Sequence, residues 1–422
     1  MVKFIFNIMK ANKREYLKTI LTLSLIYSFC YIFLSMYNVV FNIQTGNLDT
    51  DFVIDMINFF CVGLGIIVML IIISYFIENR LQEYAILLMT GRKFNEIIKY
   101  ISVHFGIILT LGCVIGCFLG IIFVNIMNII YSTNQIDFYL SYPSFFLYLA
   151  LFIISIVLIF AYNISTFNRV EMYINNYLRD KINFSYNIPK KRKYRYLVFT
   201  LIGFLLVYNS FTGIKDVSVS SIMMFIGSII GVVLVVKYLI LFIYYTFHES
   251  FILSNKKIMF IFNNFIELSS IIMKINLINC VIMPIVLISV LLMDIVTLKL
   301  VMISYYYITL IMIFICYIFK LNSYCKGLTS KIDTLKALGY DIKEMYSISN
   351  MQIILFLVTV LMPIIIYSIS FINILNQSNE ATLMILVISY IVVYLIIGIY
   401  MFIKFRFTIK GAFSNVKYLN RS

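Results

Sequence analysis

Long runs of apolar residues dominate the chain, and short polar segments separate them. Most runs reach the ~20 residues that a helix needs to cross the hydrocarbon core of a bilayer. We therefore expect an all-α, polytopic membrane protein of about ten transmembrane helices. The approximate limits of these predicted spans are residues 17–41, 55–77, 100–130, 143–165, 196–211, 219–245, 275–293, 300–319, 350–372 and 381–403.

The basic residues are concentrated in alternate connecting segments between the predicted spans. The chain has 33 Lys and Arg against 18 Asp and Glu, a net charge of +15. Nearly all of the Lys and Arg fall in every second connecting segment, whereas the other connections hold only Lys215 and Lys299. The positive-inside rule then places both termini in the cytoplasm of a multi-pass plasma-membrane protein. This topology explains the net charge without a nucleic-acid partner, and the basic run 189–195 suits anionic lipid of the bilayer.

Composition excludes most other classes. At 63% hydrophobic and 12% charged residues, the chain cannot bury its apolar surface as a soluble domain. No GxxxxGK[ST] phosphate loop occurs, and His104 and His248 are far apart in the sequence. We therefore predict no catalytic residue, no metal site and no cofactor in this chain. At His104, near the cytoplasmic start of the third span, a packing role is the preferred interpretation.

A charged segment at residues 78–99 lies between the second and third spans. Its residues Leu81, Tyr84, Ala85 and Leu88 recur at helical spacing before a break at Gly91. Such an amphipathic helix fits a groove on a partner protein. The alternative is a helix that lies on the lipid surface.

A degenerate copy of this segment occurs at residues 325–345. Gly339 aligns with Gly91, an offset of 248 residues, and Leu335 then aligns with Leu87 and Ile342 with Phe94. We call residues 78–99 and 325–345 the first and second coupling segments. The duplication predicts three parts: a first four-span repeat (1–178), a basic linker with a central helix pair (179–271), and a second four-span repeat (272–422).

Two further sets of residues stand out. Gly112, Gly116 and Gly120 form a ladder of small residues that lets another helix approach closely. Packing within the chain is the preferred interpretation of the ladder, with a dimer contact as the alternative. Charged residues at the predicted outer face mark a place where a cargo molecule could be contacted; these are Asp294, Lys299 and Glu380.

The residues Glu78, Arg80 and Glu83, followed by Ile86 to Gly91, resemble the signature of FtsX-like (MacB-type) ABC transporter permeases. The second copy, Leu335 to Gly339, is similar to the LKALG core of that family. Two four-span units around a central pair resemble the bacitracin-exporter-type permeases of low-GC Gram-positive bacteria. The chain departs from them in two ways: the loop at residues 294–299 replaces a large extracellular domain, and Lys331 takes the place of Glu83 in the second copy.

The resemblance implies the permease subunit of an ABC transporter, with ATP and Mg bound by a separate ATPase subunit in two copies. It implies export or membrane extraction of an amphipathic molecule, an antimicrobial peptide or a lipid-linked compound, and a sensor kinase as a possible further partner. The alternative is a non-transporting FtsX-like regulator that relays the state of the ATPase. A secondary transporter would require acidic residues in mid-span, and no convincing one is present. The residues implied in ATPase contact are Glu83, Leu87, Leu88, Met89, Thr90, Gly91, Leu335, Ala337, Leu338 and Gly339.

Overall fold

The computed structural model describes residues 10, 12–42, 48–78, 80, 94–133, 139–158, 160–161, 193–213, 219–247, 258, 261–262, 265, 296–337, 339–375 and 380–419. All regular elements within these ranges are helices. They are α1 (Lys13–Asn42), α2 (Leu48–Glu78), α3 (Phe94–Thr133), α4 (Phe145–Leu158), α5 (Lys193–Gly213), α6 (Val219–Phe247), α7 (Val296–Ala337), α8 (Ile342–Leu375) and α9 (Glu380–Leu419).

Six of these helices are long and apolar enough to cross a membrane, and three shorter apolar helices accompany them in the described residues. The predicted class, an all-α polytopic membrane protein, is confirmed. The predicted seventh span, 275–293, lies outside the described residues. The number of ten spans and the cytoplasmic placement of both termini stay predictions.

The chain divides into two compact units, Met1–Ile188 and Pro189–Ser422. In the first unit, α1 packs against α2 and α3. Buried hydroxyl groups add polar links between the helices: the Tyr27 and Ser155 hydroxyls lie 2.7 Å apart, joining α1 to α4. The Tyr148 hydroxyl of α4 donates to the Cys113 carbonyl oxygen of α3 at 3.0 Å. α1 is thereby held on several sides.

An irregular segment, residues 139–144, precedes α4 on the predicted outer side and is hydrogen-bonded to α3 and α1. The side-chain amide of Asn128 donates to the Leu140 carbonyl at 3.0 Å, and its oxygen accepts the Leu140 N–H at 2.7 Å. The Tyr142 hydroxyl donates to Asn125 Oδ1, and the Ser35 hydroxyl of α1 donates to the Ser141 carbonyl. This loop therefore has a defined backbone conformation.

The second unit contains the central pair and the last three helices. α5 and α6 cross where Gly203 meets Gly231: a Cβ on either glycine would lie within 2.8 Å of the other's carbonyl oxygen. α7 and α9 run parallel, because the Tyr306 hydroxyl reaches the Leu386 carbonyl and the Tyr400 hydroxyl reaches Asn322 Oδ1 further along both helices. α8 packs against α9 and makes a smaller contact with α6. The three-part division predicted from the sequence stays a prediction.

Two helices extend well beyond their predicted spans. α7 has 42 residues and α9 has 40, or roughly 60 Å each at ~1.5 Å per residue. We predicted a separate amphipathic helix in the second coupling segment, but α7 continues without interruption from the span to Ala337. The reason is that no proline lies between residues 300 and 337, so the backbone hydrogen bonds continue through the polar stretch.

Candidate functional site

The second coupling segment consists of the end of α7, a tight turn and the start of α8. The turn is a Schellman cap. Gly339 adopts φ +86°, a left-handed conformation that glycine takes without a Cβ penalty. The Gly339 N–H donates to the Lys336 carbonyl at 3.0 Å, and the Tyr340 N–H donates to the Leu335 carbonyl at 3.1 Å. These two bonds satisfy carbonyls that the end of α7 would otherwise leave without a partner.

The next helix begins with half of a capping box. The Asp341 N–H donates to Glu344 Oε2 at 3.3 Å, and the Asp341 carbonyl accepts the Met345 N–H at 3.1 Å. A carboxylate in the first turn of a helix is also favoured by the helix dipole. Glu344 aligns with Glu96, which lies in the first turn of α3, and α3 begins at Phe94, the residue aligned with Ile342. The two helices that follow the glycine breaks therefore start at corresponding positions.

Beneath the turn lies a small apolar cluster, which we call the coupling core. Each of its members is at most 5% exposed; they are Ile332 and Leu335 of α7, Met345 and Ile348 of α8, and Ile409 of α9. Tyr340 packs on this core from the turn, which supplies the apolar contact that commonly accompanies a Schellman cap. The core joins three helices at the point where the turn emerges.

A small cavity of about 20 Å³ adjoins the coupling core, large enough for roughly one water molecule. Its polar lining residues are Ser349, Gln352 and Thr408. Gln352 is buried, and it aligns with His104 at the same offset of 248 residues. A buried polar side chain thus occupies the aligned position in both α3 and α8.

The described residues of the second coupling segment include buried and exposed ones, and their contact with an ATPase stays a prediction. Leu335 is only 5% exposed and packs inside the coupling core, so its side chain supports the turn from within. The exposed residues are Gly339, Asp341, Ile342 and Lys343, which we call the tip. Ala337 ends α7, and Leu338 lies outside the described residues. We did not predict Asp341 to Lys343; their position directly after the glycine cap was the available signal.

For the first coupling segment, the predicted contact residues Glu83, Leu87, Leu88, Met89, Thr90 and Gly91 lie outside the described residues. Arg80, just before them, is described and is 1% exposed. Its guanidinium lies 4.1 Å from the ring centroid of Tyr16 and 4.7 Å from that of Phe76. Cation–π attraction between these rings and the guanidinium helps to offset the cost of burying the charge.

Arg80 also takes part in a polar chain that crosses to α3. Its Nη1 donates to the Tyr16 hydroxyl, which is in turn hydrogen-bonded to His104 Nε2. The Tyr16 and His104 rings are stacked with centroids 5.0 Å apart. His104 is fully buried, in agreement with a packing role. Tyr16 was not singled out from the sequence, because a tyrosine at the start of a span is an ordinary interfacial residue.

The glycine ladder of α3 faces α1. A Cβ built on Gly112 would lie 3.2 Å from the Leu23 Cβ, one on Gly116 would lie 2.5 Å from the Tyr27 Cβ, and one on Gly120 would lie 2.7 Å from the Tyr31 Cβ. The ladder thus lies against a neighbouring helix of the same chain.

The predicted outer-face residues are only partly described. Asp294 lies outside the described residues, Lys299 is in the first turn of α7, and Glu380 begins α9. Because α7 and α9 run parallel, these two helix starts lie at the same end of the pair. In the described part of the chain, no group of three or more His, Cys, Asp or Glu residues is placed to hold a metal ion.

The described residues thus define a polytopic α-helical membrane protein with a capped turn on its predicted cytoplasmic side. Residues 56–172 match the family described as FtsX-like permease C-terminal. This stretch contains most of α2 and all of α3 and α4, together with the first coupling segment and the glycine ladder. No curated protein matches the chain. The match covers 117 of the 422 residues and supports an FtsX-like permease of the ABC type.

Proposed function

We propose that the chain is the permease subunit of an ABC transporter and that a separate ATPase subunit, present in two copies, docks on its coupling segments. The observation that carries this proposal is the second coupling segment itself, where a Schellman cap and a capping box fix an exposed tip on a buried core. A docking element must not deform when a partner pushes it. Hydrogen-bonded helix ends on an apolar core meet that requirement.

In this proposal the chain performs no chemistry, and ATP and Mg bind to the ATPase. The work of the permease is mechanical. Movement of the tip passes into α7 and α8, which leave the turn as continuous helices of 42 and 34 residues. A helix transmits displacement along its length because nearly all of its backbone hydrogen bonds are internal; α8 lacks one of these bonds at Pro363, whereas α7 contains no proline.

We further propose that the cargo is amphipathic, an antimicrobial peptide or a lipid-linked compound, and that it is exported or extracted from the membrane. The sequence between the predicted seventh and eighth spans, about residues 294–299, is too short for a domain that captures a soluble molecule. The bacitracin-exporter-type layout inferred from the sequence supports the same cargo class. The described helices also present large apolar side chains to the lipid, such as Phe118, Ile388 and Ile399.

The docking proposal is tested at Gly339, whose Cβ position is open, so that a substitution acts only through the backbone. Gly339→Ala should disfavour the left-handed turn by about 1–2 kcal/mol, whereas Gly339→Asn, which tolerates that conformation, should disfavour it less. The chain is co-expressed in turn with each ABC ATPase of the genome that encodes it, and the amount of ATPase retained on the purified chain is measured. We expect the retained amount to fall in the order Gly, Asn, Ala.

Gly411→Ala, a glycine in α9 with an equally open Cβ position, is the matched control and should retain the ATPase fully. If the unmodified chain retains no ATPase, the proposal is wrong. Cargo is tested separately, by the bacitracin sensitivity of cells with and without the chain. A complex that forms and hydrolyses ATP but gives no protection against bacitracin would favour the regulator over the peptide exporter.

A further inference from the structure

The last helix, α9, makes contacts that its place in the sequence does not predict. It is separated from the second coupling segment by the whole of α8. Nevertheless it continues past its predicted span at residue 403 as an uninterrupted helix to Leu419. We call residues 404–419 the α9 arm. Lys404, Arg406 and Lys410 mark the point at which α9 leaves the predicted hydrocarbon region.

One face of the arm is built into the second coupling segment. Ile409 is 4% exposed and belongs to the coupling core. Phe405, one turn earlier, is 2% exposed, and its ring centroid lies 5.9 Å from that of Tyr324 in α7. The arm is therefore packed directly against the end of α7.

Polar contacts reinforce this face on either side of the core. Lys336, in the last turn of α7, places Nζ 3.5 Å from the Ala412 carbonyl and 4.7 Å from the ring centroid of Phe413. The Arg406 guanidinium lies 5.2 Å from the ring centroid of Tyr346 in the first turns of α8. The arm therefore contacts both helices that form the turn.

The opposite face of the arm makes no comparable contact in the described residues. Phe407 is 70% exposed, and Lys410 is also exposed. This one-sidedness distinguishes the arm from a helix buried on all sides. Its apolar contacts are concentrated on the coupling segment.

We propose that the α9 arm is a positioning element of energy coupling, and that Ile409 and Phe405 hold the second coupling segment against the last span. A push on the tip then reaches α9 as directly as it reaches α7 and α8, although α9 does not adjoin the segment in sequence. Ile409 and Phe405 are positioning residues, since neither touches the ATPase or the cargo in this scheme. The proposal rests on the proposed docking of an ATPase on the tip.

The first test loosens the contact. Ile409→Ala removes core volume, Ile409→Val is the conservative variant, and Phe407→Ala is the matched control on the exposed face of the same arm. Each chain is purified with the ATPase that the unmodified chain retains in the co-expression test, and the ATPase rate is measured per assembled complex and compared with that of the ATPase alone. Binding of the unmodified permease changes the ATPase rate in this scheme. We expect Ile409→Ala to reduce that change at least about threefold, and the other two variants to leave it nearly unaltered.

A purely structural role would lower the yield and the thermal midpoint of Ile409→Ala without changing the rate per assembled complex. A rate equal to that of Phe407→Ala therefore overturns the proposal. The second test locks the contact and does not depend on whether Ile409→Ala folds. Lys336→Cys and Ala412→Cys are introduced together and bridged by a short bismaleimide, with each single variant treated in the same way as a control.

An arm that stays attached throughout the cycle predicts that the bridged complex keeps its ATPase rate within about twofold of the untreated double variant. Loss of the rate on bridging would show that arm and segment must separate, and would overturn the proposal. Failure of the proposed function looks different: the unmodified chain would retain no ATPase at all.

Discussion

The contact between α1 and α3 allows the sharpest test of the packing. Gly116→Ala adds one methyl group at the closest point of approach. Its carbon would lie 2.5 Å from the Tyr27 Cβ, 2.8 Å from the Ser24 carbonyl oxygen and 3.3 Å from the Ser28 nitrogen. All three atoms belong to the backbone or are attached directly to it, so no side-chain rotation relieves the overlap. The two helices must separate instead.

The size of the effect follows from these distances. Ordinary van der Waals contact begins near 3.4 Å, so the helices must part by roughly 1 Å, and overpacking of this kind costs about 1–3 kcal/mol. Gly106→Ala is the control in the same helix, since nothing lies within 4 Å of its Cβ position. Alanine there should be neutral or stabilise the helix by up to about 1 kcal/mol. We therefore expect the two variants to differ by about 1–4 kcal/mol.

The assay uses the cysteines of the chain as reporters. In the described residues, Cys30, Cys61, Cys113, Cys316 and Cys325 are buried free thiols. A maleimide that fluoresces on reaction therefore reports their exposure as the detergent-solubilised protein is heated. The difference should separate the two thermal midpoints by on the order of 2–15 °C for a unit of this size. Equal midpoints for Gly116→Ala and Gly106→Ala would refute the close approach of α1 and α3 at the ladder.

Three further measurements follow from single contacts. Gly411→Ala fills open space in a helix and should raise the thermal midpoint, with a gain of up to about 1 kcal/mol; a fall would contradict the helical geometry of the arm. Tyr306→Phe removes a buried hydrogen bond of 2.6 Å to the Leu386 carbonyl and should destabilise the protein by about 0.5–1.5 kcal/mol in the same assay. An unchanged thermal midpoint would contradict this hydrogen bond between α7 and α9. Burial raises the pKa of the Cys325 thiol from 9.0 to about 12, so alkylation of Cys325 at pH 8, followed by mass spectrometry, should be far slower in the folded protein than after unfolding in SDS. The stability that this shift contributes is fully present below pH 9 and is lost as the pH rises toward 12, because the unfolded thiol ionises first.

The membrane class and the described spans could be predicted because lipid imposes a length and a polarity on every crossing helix. The glycine ladder was predicted as a packing surface for the same kind of reason, since small residues at this spacing permit close approach. Its partner, α1, could not be predicted. Periodicity shows that a helix has a small-residue face but contains no information about which helix lies opposite.

Leu335 shows why the candidate site was predicted only in part. An apolar stripe that includes Ile332 and Leu335 looks the same in sequence whether it docks on a partner or on another part of its own chain. Ile409 lies 74 residues beyond Leu335, and nothing local to either residue indicates their contact. In contrast, Gly339, Asp341 and Glu344 predict their own local structure. A glycine favours a left-handed helix end, and the two acidic residues favour the start of the next helix. The cap and the helix start form at these residues.

The double hydrogen bond between Asn128 and the Leu140 backbone has a consequence for events on the predicted outer side. It fixes the backbone of the 139–144 loop at Leu140 before any molecule arrives, and the exposed aromatic rings of Tyr139 and Phe146 lie close by in the sequence. Immobilising a flexible side chain on binding typically costs about 0.5–1.5 kcal/mol, and ordering a mobile loop adds further to this cost. A molecule that binds at this loop therefore does not have to order the loop backbone, because that conformational entropy was already lost when the protein folded. Its association rate is set by diffusion and orientation, with no loop closure to wait for.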